Sequence, residues 1–140
     1  MRCRQYKTGY DRQQGMLLPP RIEEYVDESN AVRAIDAYVE TLDMEQLGFT
    51  KTGGGLTAGQ PPYAPGTVLK LYLWGYLNRI RSSRRLEKET YRNLEVIWLL
   101  QGLHPFYKTI ADFRKEGAPA LEVVHPPLLG LCRALELFGG

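Results

Sequence analysis

Apolar side chains recur at three- and four-residue spacings along most of the chain, and no stretch calls for a strand. The first clear stripe is Ala31, Ile35, Tyr38, Val39 and Leu42. It predicts a helix over 31–42, capped by Ser29 or Asn30, with Arg33, Asp36 and Glu40 pointing outward. A further helical turn holds Met44 and Leu47 and ends at Gly48. Between 65 and 80 the pattern changes. Val68, Leu69, Leu71, Tyr72, Leu73, Trp74, Tyr76, Leu77 and Ile80 cover most of a helix circumference, as in a buried central helix with Pro65 at its first position. Gly75 interrupts the series. Glycine costs about 1 kcal/mol relative to alanine in a helix, so a close crossing is expected there.

Ser82 or Ser83 can cap a helix to about Tyr91, with Leu86 and either Thr90 or Tyr91 facing the core. Asn93 can cap the next, whose apolar side is Leu94, Ile97, Trp98 and Leu100 and whose end is Gly102. A turn follows at His104-Pro105, then a helix capped by Thr109 in which Ile110 and Phe113 pack inward. Leu121, Val124, Leu128, Leu131, Leu135 and Phe138 call for a last helix. Pro126-Pro127 should kink it sharply or split it in two. Residues 50–64 are loop; Gly53-Gly54-Gly55 is no phosphate loop, because no Gly-Lys-Ser/Thr follows and no strand precedes. The expected fold is all-α, a compact bundle of about five to seven helices. Helices near 82–91, 94–101 and 109–116 form a possible helix-turn-helix-like tri-helical unit. Residues 1–16 read as a flexible basic arm and 17–140 as one helical domain.

Charge adds a direction to this picture. Eight acids face two bases between Arg21 and Glu45, whereas six bases face two acids between Arg79 and Asn93. The arm adds Arg2, Arg4, Lys7 and Arg12 against Asp11. A net charge of +2 thus hides a lopsided distribution. A cationic helix between two apolar ones suits contact with a polyanion, and nucleic acid is the commonest. With 140 residues, 44% apolar and 24% charged, the chain fits one soluble globular domain. Two cysteines, Cys3 and Cys132, make neither a disulfide framework nor a zinc site. No signal peptide or membrane span is evident, and the expected location is the cytoplasm.

Catalytic chemistry is sparse. His104 and His125 flank prolines in separate predicted loops and are expected to be exposed and idle. Asp36 and Glu40, at i,i+4, would be an incomplete metal pair. Binding is better supplied. Arg79, Arg81, Ser82, Ser83, Arg84, Arg85, Lys88 and Arg92 are candidate phosphate ligands around a helix start. Lys108, Thr109, Asp112, Arg114 and Lys115 are the side chains suited to base reading.

Several blocks resemble one family. Gln60-Pro-Pro-Tyr-Ala-Pro65, the run from Leu69 to Glu87, Arg92-Asn-Leu-Glu-Val-Ile-Trp98 and Lys108-Thr-Ile-Ala-Asp-Phe-Arg114 look like the N-terminal domain of InsH-like bacterial insertion-sequence transposases. So do Asn30-Ala-Val-Arg-Ala-Ile-Asp36 and Leu131-Cys-Arg133, and the likeness spans about residues 17–138. The resemblance implies a helical region that takes part in recognising element DNA ends. It also implies a following RNase-H-like domain whose acidic triad uses Mg²⁺. The first of those acids lies beyond the Leu-Cys-Arg block, so none of the catalytic carboxylates is carried over here. The expectation is therefore no cofactor and no cleavage by this chain, which would reflect a truncated element, a split reading frame or a shortened chain. The expected partner is double-stranded DNA. The alternative is a helical assembly domain that pairs transposase subunits or steadies the catalytic domain.

Overall fold

The computed structural model describes residues 12–13, 21–49 and 63–139, the last eight of them as backbone only. Most of the expected basic arm and of the glycine-rich loop lies outside the described residues. A 3-10 turn at Ile22–Tyr25 is followed by α1 (Ala31–Glu40), α2 (Pro65–Leu77), α3 (Ser83–Arg92), α4 (Leu94–Leu99), α5 (Tyr107–Glu116) and α6 (Ala118–Gly139). The fold is all-α, and no strand occurs among the described residues.

Helix α2 sits at the centre and touches α1, α3, α4 and α5. Val68, Leu69, Leu71 and Leu73 are fully enclosed, as a helix apolar on nearly every side requires. The crossing expected at Gly75 is present. A Cβ built there would stand 2.7 Å from Leu86 Cδ2 and 2.9 Å from the Ile80 carbonyl oxygen. Helix α3 thus rests its core leucine directly on the α2 backbone. Lys70 bridges Asp36 (2.7 Å) and Glu40 (2.8 Å), so those two carboxylates join α1 to α2 rather than waiting for a metal.

Three helical segments end in the same way. Ile80 N–H donates to Gly75 O and Arg79 N–H to Tyr76 O, which closes α2 with residue 79 in the left-handed region (φ 58°). Gly102 and Gln101 (φ 54°) do this for α4, and Phe49 and Gly48 (φ 90°) for the turn after α1. This 6→1, 5→2 bond pair satisfies carbonyls that a helix end leaves bare. Glycine is the usual residue at this left-handed position, and of the three ends only that at Gly48 follows the habit; Gly102 is left-handed as well (φ 81°) but stands one residue after Gln101. Gly102 does not take the expected position at the end of α4, because Gln101 already holds it. Helix α2 likewise stops at Leu77, short of the expected Ile80.

Other expectations shift by a residue or a face. In α1 the buried side chains are Val32, Ile35 and Val39, whereas Ala31 is exposed. Asn30 caps it through the Val32 N–H and also donates to Glu95 on α4 (3.0 Å), which rotates the start of the helix toward its neighbour. In α4 the enclosed residues are Val96, Leu99 and the cap Leu100; Leu94 is exposed. Trp98 lies half-buried against the 3-10 turn and donates to Glu23 (2.7 Å). Helix α5 begins at Tyr107, so Thr109 is not its cap; it is buried at 7% exposure. The Tyr107 N–H is taken by Glu87 of α3 instead (3.1 Å).

Helix α6 runs through Pro126 and Pro127 without the expected split. Both prolines are exposed, as are Glu122 and Val123, whose carbonyls lose their i+4 donors. The missing bonds therefore fall on the solvent side, where water replaces them. On the inner side Val124 and Leu128 stay buried and Tyr38 donates its hydroxyl to the Val124 carbonyl (2.9 Å). His125 consequently belongs to a helix and not a loop. Its ring stacks on Tyr76 (4.3 Å) and Tyr72 (5.4 Å).

Candidate nucleic-acid interface

The cationic segment starts at the α2 terminus. The left-handed turn at Arg79 reverses the chain, and Ile80 is half-buried and anchors the connector. Ser82 then caps α3 by accepting from the Arg85 N–H (3.3 Å). This bond commits the Ser82 hydroxyl to the helix, while Ser83 is partly covered. Within α3 the inner face is Leu86, Glu89 and Thr90. At 100° per residue, Arg84, Arg85, Lys88, Tyr91 and Arg92 occupy the opposite arc, and all five are exposed.

The two acids of the segment have turned away from that arc. Glu87 is half-buried and holds the Tyr107 N–H. Glu89 is buried and pairs with Arg92, while Asn93 donates to its second oxygen (3.3 Å). The hydrogen bond from Arg92 is the main reason its carboxyl titrates below the ordinary range; burial opposes this, and Asn93 adds to it. Arg92 is therefore already engaged, which removes it from the set of free cations. Arg79, Arg81, Arg84, Arg85 and Lys88 have no carboxylate at ion-pair distance among the described residues. Arg84 lies over the Tyr107 ring at 4.7 Å, a contact that orients the guanidinium without neutralising it. Arg79 and Arg81 also line a cleft of about 690 Å³ with Gly75, Tyr76, Leu77 and Leu129.

The expected base-reading set does not come together. Thr109 is buried, and Arg114 is half-buried with its guanidinium over Tyr72 (5.5 Å). Lys108 and Lys115 are exposed, but Asp112 and Glu116 share that surface of α5. The helix presents balanced charge where α3 presents a cationic face.

Two aromatic contacts have no counterpart in the sequence reading. Tyr91 stacks on His104 with ring centroids 3.8 Å apart, and Phe106 tilts against Tyr107 at 4.6 Å. His104 is thus held and partly covered rather than idle in solvent. The one local signal is Tyr91 three residues after Lys88, a ring placed among cations on one helix side. Among the described residues no group of three or more His, Cys, Asp or Glu side chains gathers to hold a metal ion. No helix there is long and apolar enough to cross a membrane.

A family model described as a transposase domain, DUF772, matches residues 20–116. The chain belongs to this family. The matched span of the DUF772 domain takes in α1 to α5, so the α3 face and its aromatic neighbours lie wholly inside it. No curated protein and no solved structure matches the chain.

Proposed function

We propose that this transposase domain is a DNA-binding module that grips the duplex backbone through α3 and the connector before it. The observation that carries the reading is the exposed set Arg81, Arg84, Arg85 and Lys88, which have no acidic partner among the described residues because Glu87 and Glu89 are used elsewhere. Arginine forks match phosphate oxygens, and backbone N–H groups at the α3 start add donors. The acidic stretch before α2 would orient the domain by repulsion. In this reading the domain resembles the end-recognition region of InsH-like transposases, the basic arm at 1–16 orders on DNA, and strand transfer belongs to an RNase-H-like domain.

Replacing Arg81, Arg84, Arg85 and Lys88 together with alanine tests it. Gel-shift titrations at two salt concentrations should show weaker duplex binding and a salt slope shallower by up to roughly 3.6, about 0.9 for each phosphate that is no longer neutralised. Unchanged affinity and slope in a folded variant would reject this surface as the footprint.

The second reading, subunit assembly, draws on α6. Val123 (63% exposed), Pro127 and Leu131 recur at i, i+4 and i+8 on its outer side. An apolar stripe of this kind is a surface for association. Sedimentation should then show a concentration-dependent dimer that Val123→Glu dissociates. A monomer at every concentration would remove the stripe from consideration.

A further inference from the structure

We propose that Tyr91, backed by His104, is a stacking platform for an unpaired nucleobase, so that the α3 face prefers DNA with a frayed or single-stranded end. The inference rests on the phosphate-binding reading above and names the form of DNA that the same surface takes.

The platform is built in advance. Thr90 donates its hydroxyl to the Glu87 carbonyl, and its oxygen is hydrogen-bonded with His104 Nδ1 at 3.1 Å. Tyr63 donates to the His104 carbonyl at 2.9 Å, and Pro105 beside it is buried. The imidazole is therefore fixed in position. Tyr91 lies on it almost parallel, with 7° between the rings. One face of the phenol ring is thus covered, yet the residue keeps 64% exposure, so the other face is open to solvent. A tyrosine that served the core would turn inward, as Leu86 and Thr90 do on the same helix.

The surroundings select the ligand. Lys88 stands one turn before Tyr91 and Arg84 two turns before it, both exposed. A ring set in a row of cations fits a nucleotide strand, whose phosphates meet the cations while a base covers the ring. Inside a duplex the base faces are already stacked on each other, and only the outer face of a terminal pair is open, so an unpaired nucleotide, free to turn its face to the ring, uses the platform best. Little side-chain freedom is lost on binding, because Thr90, Tyr63 and the stack have already ordered both rings.

The test compares blunt duplex, the same duplex with a short unpaired fork, and a fork carrying 2-aminopurine in place of one unpaired base. Binding is read by anisotropy and stacking by 2-aminopurine quenching. The wild-type domain should prefer the fork by about five- to a hundred-fold, the range that base–aromatic stacking supports. Its binding should also quench the 2-aminopurine. Tyr91→Ala should abolish the preference and the quenching and leave blunt-duplex affinity within about twofold; Tyr91→Phe should retain both. The four-alanine cation variant should weaken both DNAs while leaving their ratio in place. A wild-type domain that binds both DNAs equally, or a Tyr91→Ala variant that keeps the preference, overturns the platform alone. Unchanged binding by the cation variant overturns the phosphate reading, and the platform with it.

Discussion

Gly75→Leu should cost the domain about 3 kcal/mol or more and lower its melting temperature by roughly ten degrees. The reason is local and steric. The first added carbon already lies 2.7 Å from Leu86 Cδ2 and 2.9 Å from the Ile80 carbonyl oxygen. Leu86 is fully enclosed, and the Ile80 oxygen belongs to the backbone just beyond the α2 terminus. Relief requires α3 to move away from α2. Alanine at the same position gains about 1 kcal/mol of helix propensity yet still meets Leu86, so it should be the milder of two destabilising changes. Thermal unfolding followed by circular dichroism measures both. A leucine variant as stable as the parent would show that the crossing is loose. If α3 is the DNA-gripping element proposed above, the change should also weaken duplex binding below the melting point, because α3 carries the cationic arc.

Phe49→Ala should have a comparable or larger effect, about 3–5 kcal/mol. Phe49 is buried and stacks on Phe113 of α5 with centroids 4.8 Å apart and 19° between the planes. Its ring lies where a side chain at residue 117 would go, since a Cβ on Gly117 would come within 2.5 Å of Phe49 Cε1. The phenylalanine thus plugs a slot between α5 and the start of α6 that no neighbour can fill after truncation. Chemical denaturation should show a lowered midpoint with an unchanged slope. A loss below about 1 kcal/mol would mean that the slot collapses or that water occupies it.

The all-α class and the positions of five of the six helices are legible in the sequence because 3.6-residue periodicity and caps such as Asn30, Ser82 and Asn93 are local signals. Gly75 is legible as a close approach because glycine in an apolar helix otherwise has no compensation. Two of the differences share an origin. Ala31 instead of Val32 and Thr109 as a cap each assume that a helix start is set by its own sequence. In the structure the starts of α1 and α5 are bonded from other helices, through Glu95 and Glu87. The proline pair does not split α6, because the cost of the missing bonds depends on which side of the helix meets water. The candidate site is half legible. The exposed arginines follow from the α3 wheel, but the withdrawal of Arg92 by Glu89 and the ring pair of Tyr91 and His104 depend on tertiary neighbours.

The left-handed backbone at Arg79 sets backbone comfort against side-chain charge at a single position. Glycine would relax that bend, because a side chain there is crowded against its own main chain. Arginine accepts the crowding and keeps a charge at the mouth of the cleft beside α3. On the proposed DNA-binding reading, a screen for heat tolerance and a screen for DNA retention would therefore rank substitutions at position 79 in opposite orders.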